Sequence, residues 1–499
     1  RSVELLLQER VPDSAPLRFP HQDETDVRIA QQGEGIQPWQ VPLDTPMPMV
    51  HYLSNGRFGT LVTNAGSGFS QWGSLMLTRW RADTTCDDWG RWLYVRDLDS
   101  GATWSAGRQP TGVRGEHEEI VFHPHAAELR RRDHGIILHM QVTVAPDEDV
   151  EIRRVTLTND GPQARRIGLA CFSEAVLAPA GADLRHQAFT KLFVESEYLT
   201  GPSRMVLRRR SRAATEAATY MVQALVSGPG AEGEAWGRSC FEGDRGRFLG
   251  RGRTARNPAR LEELAWWEGA VEGSAGATLD PVVVLGQEIR LAPHSSIQFA
   301  LVTLVGEQRQ ETLELAQRFG SWSAIERAFT RAHSSAEREL RQFGPRGTAF
   351  ERALQLLSLL TFPHPARRSD AATLAANGKG QPGLWAYGVS GDYPVLLLRE
   401  ADEAQGDLLL EVLLAHRYWR RRGLLIDLVI LNEQDTNYGQ ALQNYIYRQI
   451  RRLDSDAAIN QRGGIYLVLA DQLGEADRVL LKTVARVVLD GRDGNLAEQ

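Results

Sequence analysis

Cysteine is scarce in this chain. Cys86, Cys171 and Cys240 are the three among 499 residues, and they stand far apart with no short spacing. That excludes a disulfide framework and a zinc-ligand signature, and it fits a reducing compartment. Long apolar runs are also missing. Leu356 to Phe362 and Val395 to Leu398 fall well short of the ~20 residues that a membrane-spanning helix needs, and no signal peptide opens the chain. Direct membrane insertion by this segment is therefore not expected. The first residue is Arg1 rather than Met, which points to a piece of a longer protein whose other parts could hold an anchor. A charge excess is lacking too: 57 basic residues against 63 acidic ones leave a net charge of -6. A broad electrostatic grip on nucleic acid is excluded on that balance.

Complete phosphate and nucleophile motifs are absent. Gly228-Pro229-Gly230-Ala231-Glu232-Gly233 has the dinucleotide spacing, but Pro229 removes a backbone donor and no helix pattern follows. Asn377-Gly378-Lys379 is followed by Gly380 where a phosphate loop needs a hydroxyl, so it reads as a turn. No Gly-x-Ser-x-Gly elbow occurs. His123-Pro124-His125 has no third ligand at matching spacing and reads as a solvated loop. The runs Arg130–Arg132, Arg208–Arg210 and Arg420–Arg422 are separated by neutral sequence and read as solvated faces. No cofactor or metal is expected from these residues.

What is present is the composition of a folded protein. Apolar residues make up 42% and charged residues 24%, enough to bury substantial cores, over a length that exceeds one domain. Residues 1–45 read as an N-terminal helix (Val3 to Glu9) and a Pro- and Gln-rich linker. Residues 46–307 alternate apolar and polar positions in short stretches, such as Ile136–Val144, Asp149–Thr158 and Ile297–Val305. Turn signals such as Asp133-His134-Gly135 and Asn159-Asp160-Gly161-Pro162 separate them. That pattern predicts a large antiparallel β-sandwich. Residues 308–499 carry apolar residues at helical spacing over Gln310–Phe319, Ser323–Phe343, Ala349–Leu360, Ala404–Arg421, Tyr438–Leu453 and Glu475–Leu489. Leu424–Leu431 and Gly464–Ala470 are strand-like runs among those helices.

Twelve tryptophans are many for this length, and several fall in one stretch, His51 to Pro110. There Leu53-Ser54-Asn55-Gly56-Arg57 precedes Asn64-Ala65-Gly66-Ser67-Gly68-Phe69-Ser70-Gln71-Trp72. Leu77-Thr78-Arg79-Trp80-Arg81 and Asp87-Asp88-Trp89-Gly90 follow. Aromatic faces interleaved with guanidinium and carboxylate groups are what sugar recognition uses: the ring packs on C–H faces while the charged groups bond hydroxyls. The same residues also suit a sandwich edge whose aromatics dock on the helical part. Residue types alone slightly favour that second reading.

These motifs resemble the N-terminal β-sandwich of family 94 glycoside phosphorylases, above all the version in bacterial cyclic β-1,2-glucan synthases. The resemblance continues through Phe189-Thr190-Lys191-Leu192-Phe193-Val194 and Arg247-Phe248-Leu249-Gly250-Arg251-Gly252. It then reaches Gly383-Leu384-Trp385-Ala386-Tyr387-Gly388-Val389-Ser390-Gly391-Asp392 and Asp427-Leu428-Val429-Ile430-Leu431-Asn432-Glu433, so it covers nearly the whole chain. It implies a galactose-mutarotase-like supersandwich of carbohydrate-binding type over 46–307. A helical linker and a region related to part of an (α/α)6 barrel follow over 308–499. It also implies a larger membrane enzyme on the cytoplasmic side of the bacterial inner membrane, with β-1,2-glucan and other domains of the same synthase as partners.

By the same resemblance, Asp392 matches a sugar-binding carboxylate, although the arginine usual in that segment has no clear match here. The family's general acid sits in a later motif that resembles Arg-Glu-Asn-Gly-Gly-Gln-Tyr. Arg462-Gly463-Gly464-Ile465-Tyr466 lacks the acid. Inverting phosphorolysis needs a group to protonate the leaving oxygen, so no catalytic residue is assigned. The expected role is to bind or position glucan and to scaffold neighbouring domains. Candidate contacts are Arg57, Trp72, Arg79, Trp80, Asp88 and Trp89 on the sandwich, with Trp385, Tyr387 and Asp392 on the helical side. A rival reading is a catalytic fragment, with Asp87, Asp88 and Asp392 as the carboxylates to test. A third is a purely structural scaffold, in which Trp72, Trp80 and Trp89 are buried against protein.

Overall fold

The computed structural model describes residues 38–499 apart from 202, 212–216, 232, 344–347, 404–405 and 435–438. The helix expected over Val3–Glu9 lies outside the described residues. From residue 39 to residue 306 strands dominate, and alternation is the cause. Along Ile136–Val144, Ile136, Leu138, Met140 and Val142 are buried while the residues between them are partly exposed. One face of the strand therefore enters a core. Antiparallel pairing with Val150–Asn159 sets Met140 opposite Val155 and Leu138 opposite Leu157. On its other side the strand pairs with Ala126–Asp133. His134 and Gly135 join the two at φ 50° and 76°, the two-residue turn whose twist matches the strands.

Two nine-stranded sheets result. The first runs from Trp39–Gln40 at one edge, through Val150–Asn159 and Ser296–Gly306, to Val194–Leu199 at the other. The second is built on the long strand Arg165–Pro179, which pairs with Pro281–Leu291, Trp92–Asp97 and Leu75–Thr78. It ends in the meander Gly68–Trp72, Phe58–Thr63 and Val50–Ser54. Phe58, Trp104, Phe122 and Phe299 are buried in the shared core, each contributing about 1.5–3 kcal/mol. A charged network also crosses that core. Arg91 donates to Ser70 Oγ of the second sheet at 2.7 Å and to Thr303 Oγ1 of the first at 2.6 Å, and it pairs with Glu151. Burial alone would raise the Glu151 carboxyl, but Arg91 and Arg153 beside it bring it down to about 2.

Helices take over after residue 308. In Trp322–Phe343, Ile325, Ala328, Phe329, Ala332, Ala336 and Leu340 recur at three- and four-residue intervals and are all buried. Ile325, Ala328 and Phe329 share a cluster with Val206, Val222 and Val302 of the first sheet. The glycine run at 228–230 lies under the start of this helix: a Cβ on Gly228 would come within 2.5 Å of the Trp322 ring. Its glycine is there for close packing rather than for a phosphate. Helix Ala349–Thr361 is tied to the second sheet by Ser358 Oγ, which accepts the Val50 N–H at 2.9 Å.

The region after 390 corrects the expectation of helices with isolated strand-like runs. Val395–Glu400, Asp427–Asn432, Ile465–Leu469 and Ala485–Asp490 form a four-stranded parallel sheet. Its spatial order is third, second, first, fourth, with helices Gly406–Arg421, Gly439–Arg452 and Glu475–Val484 in the connections. A strand covered on both faces shows an unbroken apolar run rather than alternation, and Leu396, Leu397, Leu398, Leu428, Val429 and Ile430 are all fully buried. The helix expected over Glu475–Leu489 stops at Val484, and the β-branched pair Val487-Val488 continues as strand. Gly463 and Gly464 lead into Ile465–Leu469. A Cβ on Gly464 would lie 2.1 Å from the Ala458 carbonyl oxygen, so that glycine answers a backbone contact. No described helix is long and apolar enough to cross a membrane.

Candidate functional site

A groove of about 960 Å³ opens at one end of the sandwich. Its walls are the turn Asn55–Arg57, the hairpin Trp72–Leu75, the loop Pro146–Asp149 and the helix Arg309–Arg318. Local chemistry sets each wall. Asn55 Oδ1 accepts the backbone N–H groups of Arg57 and Phe58 at 3.0 and 2.8 Å, which closes the turn, and Gly56 takes φ 92° within it. Asn55 Nδ2 donates to the carbonyls of Ala145 and Glu148 at 3.1 and 2.9 Å. One side chain thus fixes two walls of the groove, as an asparagine with both ends satisfied can do.

Trp72 and Arg57 meet in this groove through a residue the sequence reading did not single out. Asp149 Oδ2 accepts the Trp72 indole N–H at 2.8 Å and pairs with the Arg57 guanidinium. The guanidinium carbon lies 5.6 Å from the centre of the Trp72 ring. Asp149 is nearly covered, while the Arg57 side chain is 70% exposed. The indole is therefore held by its polar edge beside a cation that remains open to solvent. Asp147, Glu148, Glu307 and Glu311 add negative charge to the lining, against Arg318 as the second cation. That balance suits an uncharged ligand rich in hydroxyl donors better than an anion. In the sequence, Asp147-Glu148-Asp149 looks like an ordinary acidic turn, and nothing local marks its partnership with Trp72.

The other sandwich candidates lie outside the lining of this groove. Arg79 is 3% exposed. It forks onto Asp183 with two bonds of 2.9 Å and reaches Glu174 at 2.6 Å, so all three nitrogens are taken. Trp80 packs between Phe69 and Phe362, with ring centres 5.2 and 5.8 Å away, and donates to Ser67 Oγ at 3.1 Å. The same Ser67 hydroxyl donates to the Trp89 carbonyl. Trp89 is partly buried, with the Arg81 guanidinium 5.2 Å from its ring. Asp88 is exposed. Asp87 is buried, accepts from Thr63 Oγ1 at 2.6 Å through one oxygen and has no partner at the other. Burial pushes its carboxyl up to about 7.

The helical-side candidates form a separate group. Trp385 is 61% exposed, and its indole N–H donates to the Ser390 carbonyl at 3.4 Å. Gln381 Nε2 bridges that carbonyl and Asp392 Oδ1 at 2.7 and 3.1 Å. Tyr387 stands beside Asp477 and is raised by burial, while Lys379 pairs with Asp477 at 2.5 Å. This segment packs on helix Glu475–Val484, and the groove lining includes none of it. Among the described residues, the carboxyls that burial pushes upward are Asp87, Asp133, Glu400 and Asp427, and none of them lines the groove either.

A family model described as glycosyl hydrolase 94, supersandwich domain, matches residues 39–321. The match covers more than half of the chain, which therefore belongs to this carbohydrate-active family. Among relatives, the chain is similar to the cyclic beta-(1,2)-glucan synthase NdvB of Rhizobium meliloti (strain 1021), 27% identical over 502 residues. That match takes in 100% of this chain and 17% of the synthase. It is also similar to the N,N'-diacetylchitobiose phosphorylase of Vibrio proteolyticus, 26% identical over 275 residues, which are 54% of this chain and 32% of that enzyme. The chain thus spans a sixth to a third of the length of these relatives. Among solved structures, a bacterial glucoamylase complexed with acarbose aligns over 66% of this chain and 42% of its own, with 8% identity and a TM-score of 0.38.

Proposed function

We propose that the groove over Trp72 binds β-1,2-glucan, and that the chain positions this polymer within a larger synthase without cleaving it. The observation that carries the reading is the Trp72–Asp149–Arg57 arrangement: an aromatic face fixed at its polar edge, with a solvent-open guanidinium beside it, in a groove of ligand size. The family membership and the synthase relative support the choice of sugar. Catalysis is disfavoured for a chemical reason. A general acid needs a carboxyl raised toward neutrality and close to the glycosidic oxygen. Asp149 is committed to Trp72 and Arg57, and the raised carboxyls lie away from the groove.

A second reading, a scaffold that touches no sugar, draws support from Trp80, whose ring is wedged between the sandwich and Phe362. Calorimetric titration of the whole chain with linear β-1,2-glucan decides among these, with glucose-1-phosphate release assayed in the presence of phosphate. Binding that Trp72→Ala weakens at least tenfold, without phosphate-dependent release, is the expected result. Release of glucose-1-phosphate would mean that the chain is a phosphorylase, and absence of binding at millimolar glucan would leave the scaffold.

A further inference from the structure

A second chamber, of about 250 Å³, adjoins the groove. The two share Asn55 and Pro146 in their linings, so these residues form a ridge with one chamber on each side. Asn55 makes the ridge rigid, because its amide bonds hold the Ala145–Glu148 backbone against the turn. The far side of the ridge exists only where three parts of the chain converge. The sandwich supplies Ser54 and His125, helix Trp322–Phe343 supplies Ser335 and Glu339, and the end of helix Gly406–Arg421 brings Arg421 and Arg422. The convergence is close: a Cβ on Gly423 would lie 3.3 Å from the Gly56 carbonyl oxygen.

The chemistry of this chamber differs from that of the first. Its lining residues include no Phe, Tyr or Trp. Arg422 binds Glu339 through two bonds of 2.8 Å and lies with its guanidinium carbon 3.6 Å from the centre of the Tyr418 ring, so the pair is fixed in place. His125 Nδ1 faces His333 Nδ1 at 3.4 Å, and burial brings the His125 imidazole down to about 4, which leaves it neutral and able to share a hydrogen bond. Hydroxyl, imidazole, carboxylate and guanidinium groups around a small space recognise the rim of a sugar ring rather than its face. The volume is below the ~300–1,000 Å³ of sites that enclose drug-sized ligands, and so fits a single ring.

We propose that this second chamber is a further glucosyl subsite of the same groove. The preferred ligand is then an oligosaccharide long enough to cross the Asn55–Pro146 ridge, not a mono- or disaccharide. The inference rests on the reading that the first chamber binds β-1,2-glucan, and the test separates the two. Linear β-1,2-glucans of increasing length, from the disaccharide upward, are titrated into the whole chain and into Ser335→Phe, whose ring would fill the second chamber. Affinity of the unsubstituted chain is expected to rise at least tenfold at the length that first reaches the second chamber. Ser335→Phe should erase that step and leave the affinity for shorter glucans and the melting temperature unchanged. A length series in the unsubstituted chain that shows no such step overturns the proposal, whether or not Ser335→Phe folds. So does a step that survives the substitution. No binding at any length overturns the first-chamber reading itself.

Discussion

Two arginine–carboxylate clusters lie in the sandwich, one at the turn Asn55–Arg57 and one just past the strand Leu75–Thr78, and they serve opposite ends. Arg57 pairs with Asp149 at the mouth of the groove with its side chain 70% exposed, while Arg79 is clamped by Glu174 and Asp183 at 1%. Each has a tryptophan close by in sequence or space. Trp72 joins the first cluster through Asp149, whereas Trp80, next to Arg79, is packed against Phe69 and Phe362. The residue types are the same, and water is what differs. An exposed pair is screened and leaves its donors free for a ligand, while a buried pair must satisfy itself completely or not form. Sugar-like composition therefore marks a neighbourhood, and burial decides which members can meet a sugar.

The sharpest way to break this comparison is to remove the buried arginine. Arg79→Ala takes the guanidinium from Asp183, which keeps only the Thr190 hydroxyl, and leaves Glu174 with Arg245 alone; it should cost about 3 kcal/mol in urea unfolding. A loss below about 1 kcal/mol would mean that the cluster is not structural. A second effect of similar size concerns Asp87, which lies beside Thr63 on the same packed side. Its carboxyl is raised from 3.8 to about 7, chiefly by burial. The folded chain therefore holds the proton more tightly than the unfolded one, and this group's contribution is fully present below pH 4 and lost as pH rises through 7. Between pH 4 and 8 the unfolding free energy of the natural chain should fall relative to that of Asp87→Asn by up to roughly 4 kcal/mol, at about 1.4 kcal/mol per pKa unit. Parallel curves for the two proteins would contradict the buried, half-partnered carboxyl.

Smaller effects sharpen the contrast between the two tryptophans. Trp80→Ala should lower stability by roughly 2–3 kcal/mol, less than a fully buried aromatic, and leave glucan affinity within twofold. Trp72→Ala should do the reverse: at least tenfold weaker binding, with a stability loss near 1 kcal/mol. The smallest change is expected from Arg57→Ala. Its exposed pair is worth less than about 1 kcal/mol to folding, and glucan affinity should drop a few fold by titration calorimetry. If Arg57→Ala proved as destabilising as Arg79→Ala, exposure would not be the quantity that separates the clusters.

Much of the sandwich is legible without coordinates because its causes are local. The alternation in Ile136–Val144, the His134-Gly135 turn and the Asn159 turn each act within a few residues, and Asn159 indeed accepts the Gly161 N–H at 3.0 Å. The parallel sheet is less legible. A strand buried on both faces shows a continuous apolar run, and Val395–Glu400 can be told from a helix segment only by what covers it. The groove stands between these cases. Trp72 and Arg57 can be picked out by type, but Asp149 is separated from them by 77 and 92 residues, and no spacing rule connects the three.

The amino-acid sequence by itself determined that this is a β-sandwich with a helical region behind it, and its motifs carried the family, because period and turn chemistry are written in neighbouring residues. Only the tertiary structure decided which of the sugar-like residues share a groove, which are locked into the fold, and that a second chamber adjoins the groove across Asn55 and Pro146. Those outcomes depend on exposure to water and on partners brought together from distant parts of the chain, and neither is a property of any short stretch of sequence.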